Sequence, residues 1–297
     1  MGSTLLNQNY STVLFKSEYT YLFVLETSVE NIPHQTLTAN FFEAWKLAIQ
    51  TVISNAVPLS EKKNVHFSML RDHLNQPFIE HFSFGLSNKI FFCCIQTDED
   101  TGVSITPTDM LYKYALECGA IPCLFPLTKS VDGAWKPYTP DNPLHFITAN
   151  GDFEPLELSY TISEGLVEMS DWEILDWSVS IVVDHIMDKF DIKNRHEINY
   201  QSTTGIYPQI WFKDKTGTLN YVVVSAVRYP KMDAPKPENI EEICKFANLT
   251  GNGFFASVSI AQADGFKSDP GIGYRPPAEF IYRGCGVHVN FKGLEKL

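Results

Sequence analysis

The sequence predicts a soluble α/β (or α+β) protein built as a tandem duplication of a helix-β-β-helix-β-β unit with mixed sheets. Three observations carry that expectation. The chain has 297 residues, 44% hydrophobic and 20% charged, an ordinary globular composition long enough for two domains. Its apolar residues recur with a helical period in some stretches and as short strand-length runs in others. Landmarks of the first half return in the same order about 130 residues later.

The elements follow in order. Phe41, Trp45, Ala48, Ile49, Val52 and Ile53 share one face of a helix over Phe41–Ile53. Phe78–Leu86 and Lys89–Gln96 read as a strand pair joined by a hairpin-length connection. Thr106-Pro107-Thr108-Asp109 opens a helix with proline in the first turn, where the missing N–H costs nothing, and Gly119 is expected to close it as a left-handed cap. Ala120–Leu127 follows as a strand that Pro122 and Pro126 mark as an edge or bulged one. Val131-Asp132-Gly133 makes a turn with Lys136 after it, and Leu144–Ile147 is extended.

The second half repeats this order. Asp176–Phe190 carries Val179, Val182, Val183, Ile186, Met187 and Phe190 at helical spacing. Ile206–Lys213 and Leu219–Val227 form the strand pair, Lys236-Pro237-Glu238-Asn239 opens a helix, and Gly251 is expected to cap it. Gly253–Ala261, Ala263-Asp264-Gly265 with Lys267, and Ala278–Ile281 complete the series. Pro107 and Pro237 are 130 residues apart, and the pairs Gly119/Gly251 and Asp132/Asp264 are 132 apart. The repeats are taken as residues 1–150 and 151–297, with the boundary in an acidic stretch near Gly151 to Asp171 and the strand Tyr19–Glu26 partnering Leu156–Ile162.

Charge and cysteine content narrow the function classes. The net charge of -12 disfavours nucleic acid as a partner, because phosphate recognition concentrates positive charge on one face. Residues 152–191 hold eleven acids and one base, Lys189, and this acidic region or the groove between the repeats is the expected docking surface for another protein. No apolar run approaches a membrane span, and residues 1–30 lack the order of a signal peptide, so a cytoplasmic protein is expected. The six cysteines include no C-x-x-C pair and read as reduced thiols, and adjacent Cys93 and Cys94 face opposite sides of a strand, so no metal and no cofactor is assigned.

The order helix, strand hairpin, third strand, helix, strand over residues 176–261 resembles the core of the restriction-endonuclease-like nuclease folds. In that family the second strand carries an aspartate, often after a proline, and the next a Glu-x-Lys, which together hold Mg²⁺ and activate water. Here Gln209 follows Pro208, and the next strand reads Val223-Val224-Ser225-Ala226-Val227. Phe91-Phe92-Cys93-Cys94-Ile95 is equally empty in the first half. The resemblance implies a degenerate core without nuclease activity.

Asp132-Gly133 and Asp264-Gly265, each followed by a lysine, are the polar feature common to both halves, and Asp132 with Lys136 is a candidate binding pair as well as an ordinary tight turn. The loop Gly271–Pro277 adds Tyr274 and Arg275 as candidate binding residues. No G-x-S-x-G, G-x-G-x-x-G or Walker motif occurs. The expected function is therefore a non-catalytic binding or protein-interaction protein. The alternative is a hydrolase with a site in the second repeat only, assembled from Asp264, Lys267, Arg275, Glu279, Cys285 and His288.

Overall fold

The computed structural model describes residues 13–16, 19–22, 24–25, 38–71, 79–98, 108–163, 165–247, 251–263 and 280–297. Among them are five α-helices and two large mixed sheets, so the protein is of mixed α/β architecture. The chain divides into two compact units, Gln35–Leu166 and a unit combining Val167–Leu297 with Met1–His34. The first described strands are β1 (Val13–Lys16) and β2 (Tyr19–Leu22), which pair antiparallel, and β3 (Val24–Leu25).

In the Gln35–Leu166 unit, α1 (Ala39–Lys63) begins where the Thr38 hydroxyl accepts the Phe41 N–H at 3.1 Å and ends at Asn64, whose φ is 52°. The strands are β4 (Phe67–Arg71), β5 (Phe82–Leu86), β6 (Lys89–Thr97), β7 (Ile121–Lys129), β8 (Trp135–Pro137), β9 (His145–Ile147) and β10 (Phe153–Pro155). The sheet order is β10-β9-β7-β6-β5-β4, and β8 also pairs with β7. β6 and β7 are parallel, joined through α2 (Thr108–Glu117), and the other neighbours are antiparallel. Strand alternation gives each face its own helix. Phe84, Phe91, Cys93 and Phe125 pack under the Phe41, Trp45, Ala48 and Val52 face of α1, while Phe92 on the opposite side meets Tyr114 of α2 at 5.5 Å.

The Val167–Leu297 unit enters α4 (Asp171–Phe190) after an isolated antiparallel bridge between Glu168 and Tyr282; the preceding helical element, the single turn α3 (Leu158–Thr161), belongs to the other unit. A reciprocal Ser170–Glu173 capping box starts α4, and Asp191 ends it at φ 54°. Its strands are β11 (Ile198–Tyr200), β12 (Ile206–Tyr207), β13 (Ile210–Lys213), β14 (Leu219–Arg228), β15 (Asn252–Gln262), β16 (Val287–Phe291) and β17 (Glu295–Lys296), with α5 (Ile240–Ala247) between β14 and β15. The sheet order is β11-β13-β14-β15-β16, with β17 also on β15; β14 and β15 are parallel and the other pairs antiparallel. Val182, Val183 and Ile186 of α4 cover Val222, Val224 and Val258, and Ile243 of α5 packs with Tyr221, Val223 and Phe255 on the other face.

Four expectations are corrected. β7 is a central strand: its two prolines are accommodated because β9 pairs only at Cys123–Leu124 and β8 only from Leu127, leaving Pro126 at the break between them. The strand expected over Leu156–Ile162 is not formed, because Leu158–Thr161 closes into a helical turn with the Thr161 hydroxyl on the Leu158 carbonyl, and of Tyr19–Glu26 the described residues Val24–Leu25 pair with Ile206–Tyr207. Gly119 is the left-handed cap expected, at φ 67°, but Gly251 is required for a different reason: a Cβ there would stand 1.5 Å from the Leu219 carbonyl oxygen. Phe280 and Ile281 lie outside any strand, and the strand beside β15 is Val287–Phe291.

Candidate functional site

The Val167–Leu297 unit carries an open cleft of about 1290 Å³. It forms where the parallel strand β14 runs out, the place in an open α/β sheet where ligands usually bind. Strand residues Val224 to Arg228 form its floor, and the turn Tyr229–Lys231 closes one end, with the Lys231 N–H on the Arg228 carbonyl at 3.1 Å. The start of α4 supplies Asp171, Ile174 and Leu175 as one wall. The start of α5 supplies Glu238, Asn239 and Glu242 as the other, and the loop Thr204–Gln209 closes the remaining end.

Five consecutive residues of one strand line this cleft, which a strand paired on both sides could not offer. The cause is the early end of β13. Its ladder with β14 runs only from Lys213↔Leu219 to Ile210↔Val222, and Pro208 has no N–H with which to extend it. Gln209 terminates the pairing: its own N–H reaches the Val222 carbonyl at 3.1 Å, and its side-chain Oε1 accepts the Val224 N–H at 2.8 Å. The Gln209 Nε2 donates to the Ile206 carbonyl at 2.9 Å, so a buried amide with both ends bonded plugs the last rung.

The charges of the cleft are partly neutralised from within. The Arg228 guanidinium bonds the Asp171 carboxylate and the Met169 carbonyl, and its Nε is 3.9 Å from Glu168. Lys236 pairs with Glu295 at 2.7 Å. Among the described residues neither a histidine nor a cysteine lines the cleft.

Of the residues singled out by sequence, those that are described lie elsewhere. Asp132 and Lys136 belong to the exposed β7–β8 hairpin, where Gly133 has φ 84° and the Gly133 N–H reaches the Ser130 carbonyl at 2.9 Å. The Ser130 hydroxyl and the turn's backbone amides hold the Asp132 carboxyl below its usual range, which is the chemistry of a tight turn. Cys285 is half-buried in the turn before β16, and His288 is exposed on β16 opposite Ala261. Asp264, Lys267, Tyr274, Arg275 and Glu279 lie outside the described residues. Burial pushes the Cys118 and Cys93 thiols well above the usual range, Cys93 being raised further by Cys123, so both stay protonated and unreactive. Among the described residues no group of three or more His, Cys, Asp or Glu side chains is placed to hold a metal, and no helix is long and apolar enough to cross a membrane.

Of the eleven acids of 152–191, several are already engaged: Glu173 with Arg283, Asp184 with Arg195, Asp191 with Lys193 and Lys215. The cleft instead uses residues that the sequence marked for other reasons. Lys236 to Asn239 read as a helix opening, Gln209 as the place where a nuclease aspartate is missing, and Val223–Val227 as a strand without the Glu-x-Lys; all but Val223 line it.

Residues 172–297 match the family model described as a domain of unknown function (DUF8840). The DUF8840 match contains every residue lining the cleft except Asp171. No curated protein and no solved structure matches the chain.

Proposed function

We propose that the chain is a non-catalytic binding protein whose DUF8840 region takes its partner in the cleft at the end of β14. The observation that carries this reading is the make-up of that cleft: a roomy site at the carboxyl end of a parallel strand, whose described lining combines backbone, amide, hydroxyl and apolar groups with charges that are partly paired, Arg228 with Asp171 and Lys236 with Glu295. Gln209 lines it where the resemblance to restriction-endonuclease-like cores calls for an aspartate, and Val224 to Val227 line it within the strand where a Glu-x-Lys is called for, which supports a degenerate core.

The same reading includes an internal duplication, with a first repeat before and a second after the acidic stretch near Gly151 to Asp171. Its support is topological. The strand series β4-β5-β6-β7-β9 and β11-β13-β14-β15-β16 have the same order and the same sequence of antiparallel and parallel neighbours. The register pair Phe91↔Ile121 of one series corresponds to Tyr221↔Gly253 of the other. Duplicated cores with one cleft in use fit a protein in which one copy is scaffold and the other binds.

A thermal-shift panel of nucleotides, sugars, carboxylates, divalent metals and pooled peptides tests the binding reading. A ligand at about 100 times its dissociation constant contributes about 2.7 kcal/mol, a shift of several degrees. The expected result is a compound that raises the wild-type midpoint, fails to raise that of Ser225→Trp, and is recovered unchanged. A compound recovered as a hydrolysed product, or a panel that shifts neither protein, overturns the reading.

A further inference from the structure

We propose that the partner is an extended polypeptide segment that adds as a strand to the open edge of β14, with apolar side chains on one face and a lysine or arginine on the other. The inference rests on the cleft reading above and names the partner's chemistry.

The direction of each backbone group of β14 follows from three hydrogen bonds. Tyr229 N–H reaches the Ile260 carbonyl of β15 at 2.9 Å, so odd-numbered residues at this end point to β15. The Val222 carbonyl and Val224 N–H both meet Gln209, so even-numbered residues point the other way. Beyond Gln209 that outward row comprises the Val224 carbonyl, both groups of Ala226 and the Arg228 N–H, and no strand pairs with it among the described residues. A row of alternating donors and acceptors at strand spacing is the complement of another polypeptide backbone.

The walls specify the side chains. A strand laid along this edge continues the pleat, so its residues alternate between the two faces of the sheet. One set meets the α4 side, where Val224 and Ala226 share a face with Ile174 and Leu175 and call for apolar residues. The other set meets the α5 side, where Glu238 and Glu242 are exposed and carry no ion pair among the described residues. The cations Arg228 and Lys236 are already matched by Asp171 and Glu295, which leaves these two carboxylates against Lys231 alone. A basic side chain is the complement, and the net charge of -12 draws such a segment in.

The test is selection of random linear peptides by display on the full chain, followed by single N-methylation at each amide of a selected peptide. The expected result is a set of peptides with alternate apolar positions and an intervening Lys or Arg. N-methylation should weaken binding about tenfold or more at every second amide and little at those between. Ala226→Pro removes one outward N–H and no bond to β15, and should abolish binding while the variant unfolds cooperatively. Glu238→Lys with Glu242→Lys should weaken it in a salt-dependent way. Peptides that bind in the cleft without the period-two N-methyl pattern overturn the strand-addition proposal and leave the cleft reading standing, as does a small molecule that binds there when no peptide does. Amide exchange that shows Ala226 and Arg228 protected in the free monomer, or in a self-associated dimer, also overturns it, because the edge is then covered by this chain or a second copy. Peptides bound equally by Ser225→Trp count against both.

Discussion

The side-chain amide of Gln209 completes the rung of sheet that the β13 backbone abandons, with Oε1 on the Val224 N–H at 2.8 Å and Nε2 on the Ile206 carbonyl at 2.9 Å. The residue is 1% exposed, so water has no ready access to replace either bond. Gln201 also donates to the Ile206 carbonyl, at 2.9 Å, so truncating Gln209 chiefly orphans the Val224 N–H. Gln209→Ala should lower stability by about 1–3 kcal/mol, since a buried donor is left without an acceptor. Thermal unfolding checks it, with the midpoint expected to fall by several degrees.

His81 makes the Gln35–Leu166 unit acid-sensitive. Its Nδ1 accepts the Ile95 N–H at 2.8 Å, its ring stands 5.1 Å from Phe41, and burial lowers its pKa from 6.5 to about 4. The unfolded chain therefore takes up the proton first as pH falls, so this group's contribution is present above pH 6.5 and is lost progressively down to about pH 4. That shift amounts to about 3 kcal/mol. Urea unfolding of wild type and His81→Phe across this window checks it. The variant starts less stable, having lost the acceptor for Ile95, and the gap to wild type should shrink as the pH falls.

How far the sequence could be read depends on whether a feature is local. Helix faces such as Phe41–Trp45–Ala48–Val52 and the hairpin expected over Phe78–Leu86 and Lys89–Gln96 are set by near neighbours; the helix face appears as expected, and the hairpin appears with its first strand starting only at Phe82. The central placement of β7 depends on strands up to 23 residues away in the register that stop short of its prolines, and periodicity carries no trace of that. The cleft is of the same kind. Its floor is an apolar strand like any other, and it opens as a cleft because Pro208 and Gln209 halt the neighbouring strand. Cys285 and His288, reactive residue types, lie outside it, because the cleft is defined by where a strand edge is left open and not by any residue type that composition marks as reactive.

Gly251 and Gly133 should respond in opposite ways to a methyl group. At Gly251 a Cβ would meet the Leu219 carbonyl oxygen at 1.5 Å, and backbone on both sides must move. Gly133 has φ 84° with open space around its Cβ position, so alanine there costs only about 1–2 kcal/mol of left-handed strain. Gly251→Ala should cost more than Gly133→Ala and should disturb the pairing of β14 with β15. Urea midpoints rank the two, and amide exchange at Tyr221 to Val223 reports the pairing.

Glu173 and Arg283 give the last test, because the Glu173 carboxylate serves both the ion pair and the α4 capping box. Arg283 grips Glu173 through two bonds of 2.8 Å, with the side chains 6% and 10% exposed. The Glu173 Oε2 also accepts the Ser170 N–H at 2.7 Å in the α4 capping box. Glu173→Ala therefore removes the cap and strips a nine-tenths-buried guanidinium of its carboxylate, a loss of about 3–5 kcal/mol. Arg283→Met keeps the cap and replaces the cation with an apolar chain of similar length, so it should cost less. Once Glu173 is gone the buried cation is a liability, and the double variant Glu173→Ala with Arg283→Met should be more stable than Glu173→Ala alone. Urea unfolding of the four proteins measures the cycle; a double variant weaker than Glu173→Ala would mean that Arg283 earns its place through other contacts.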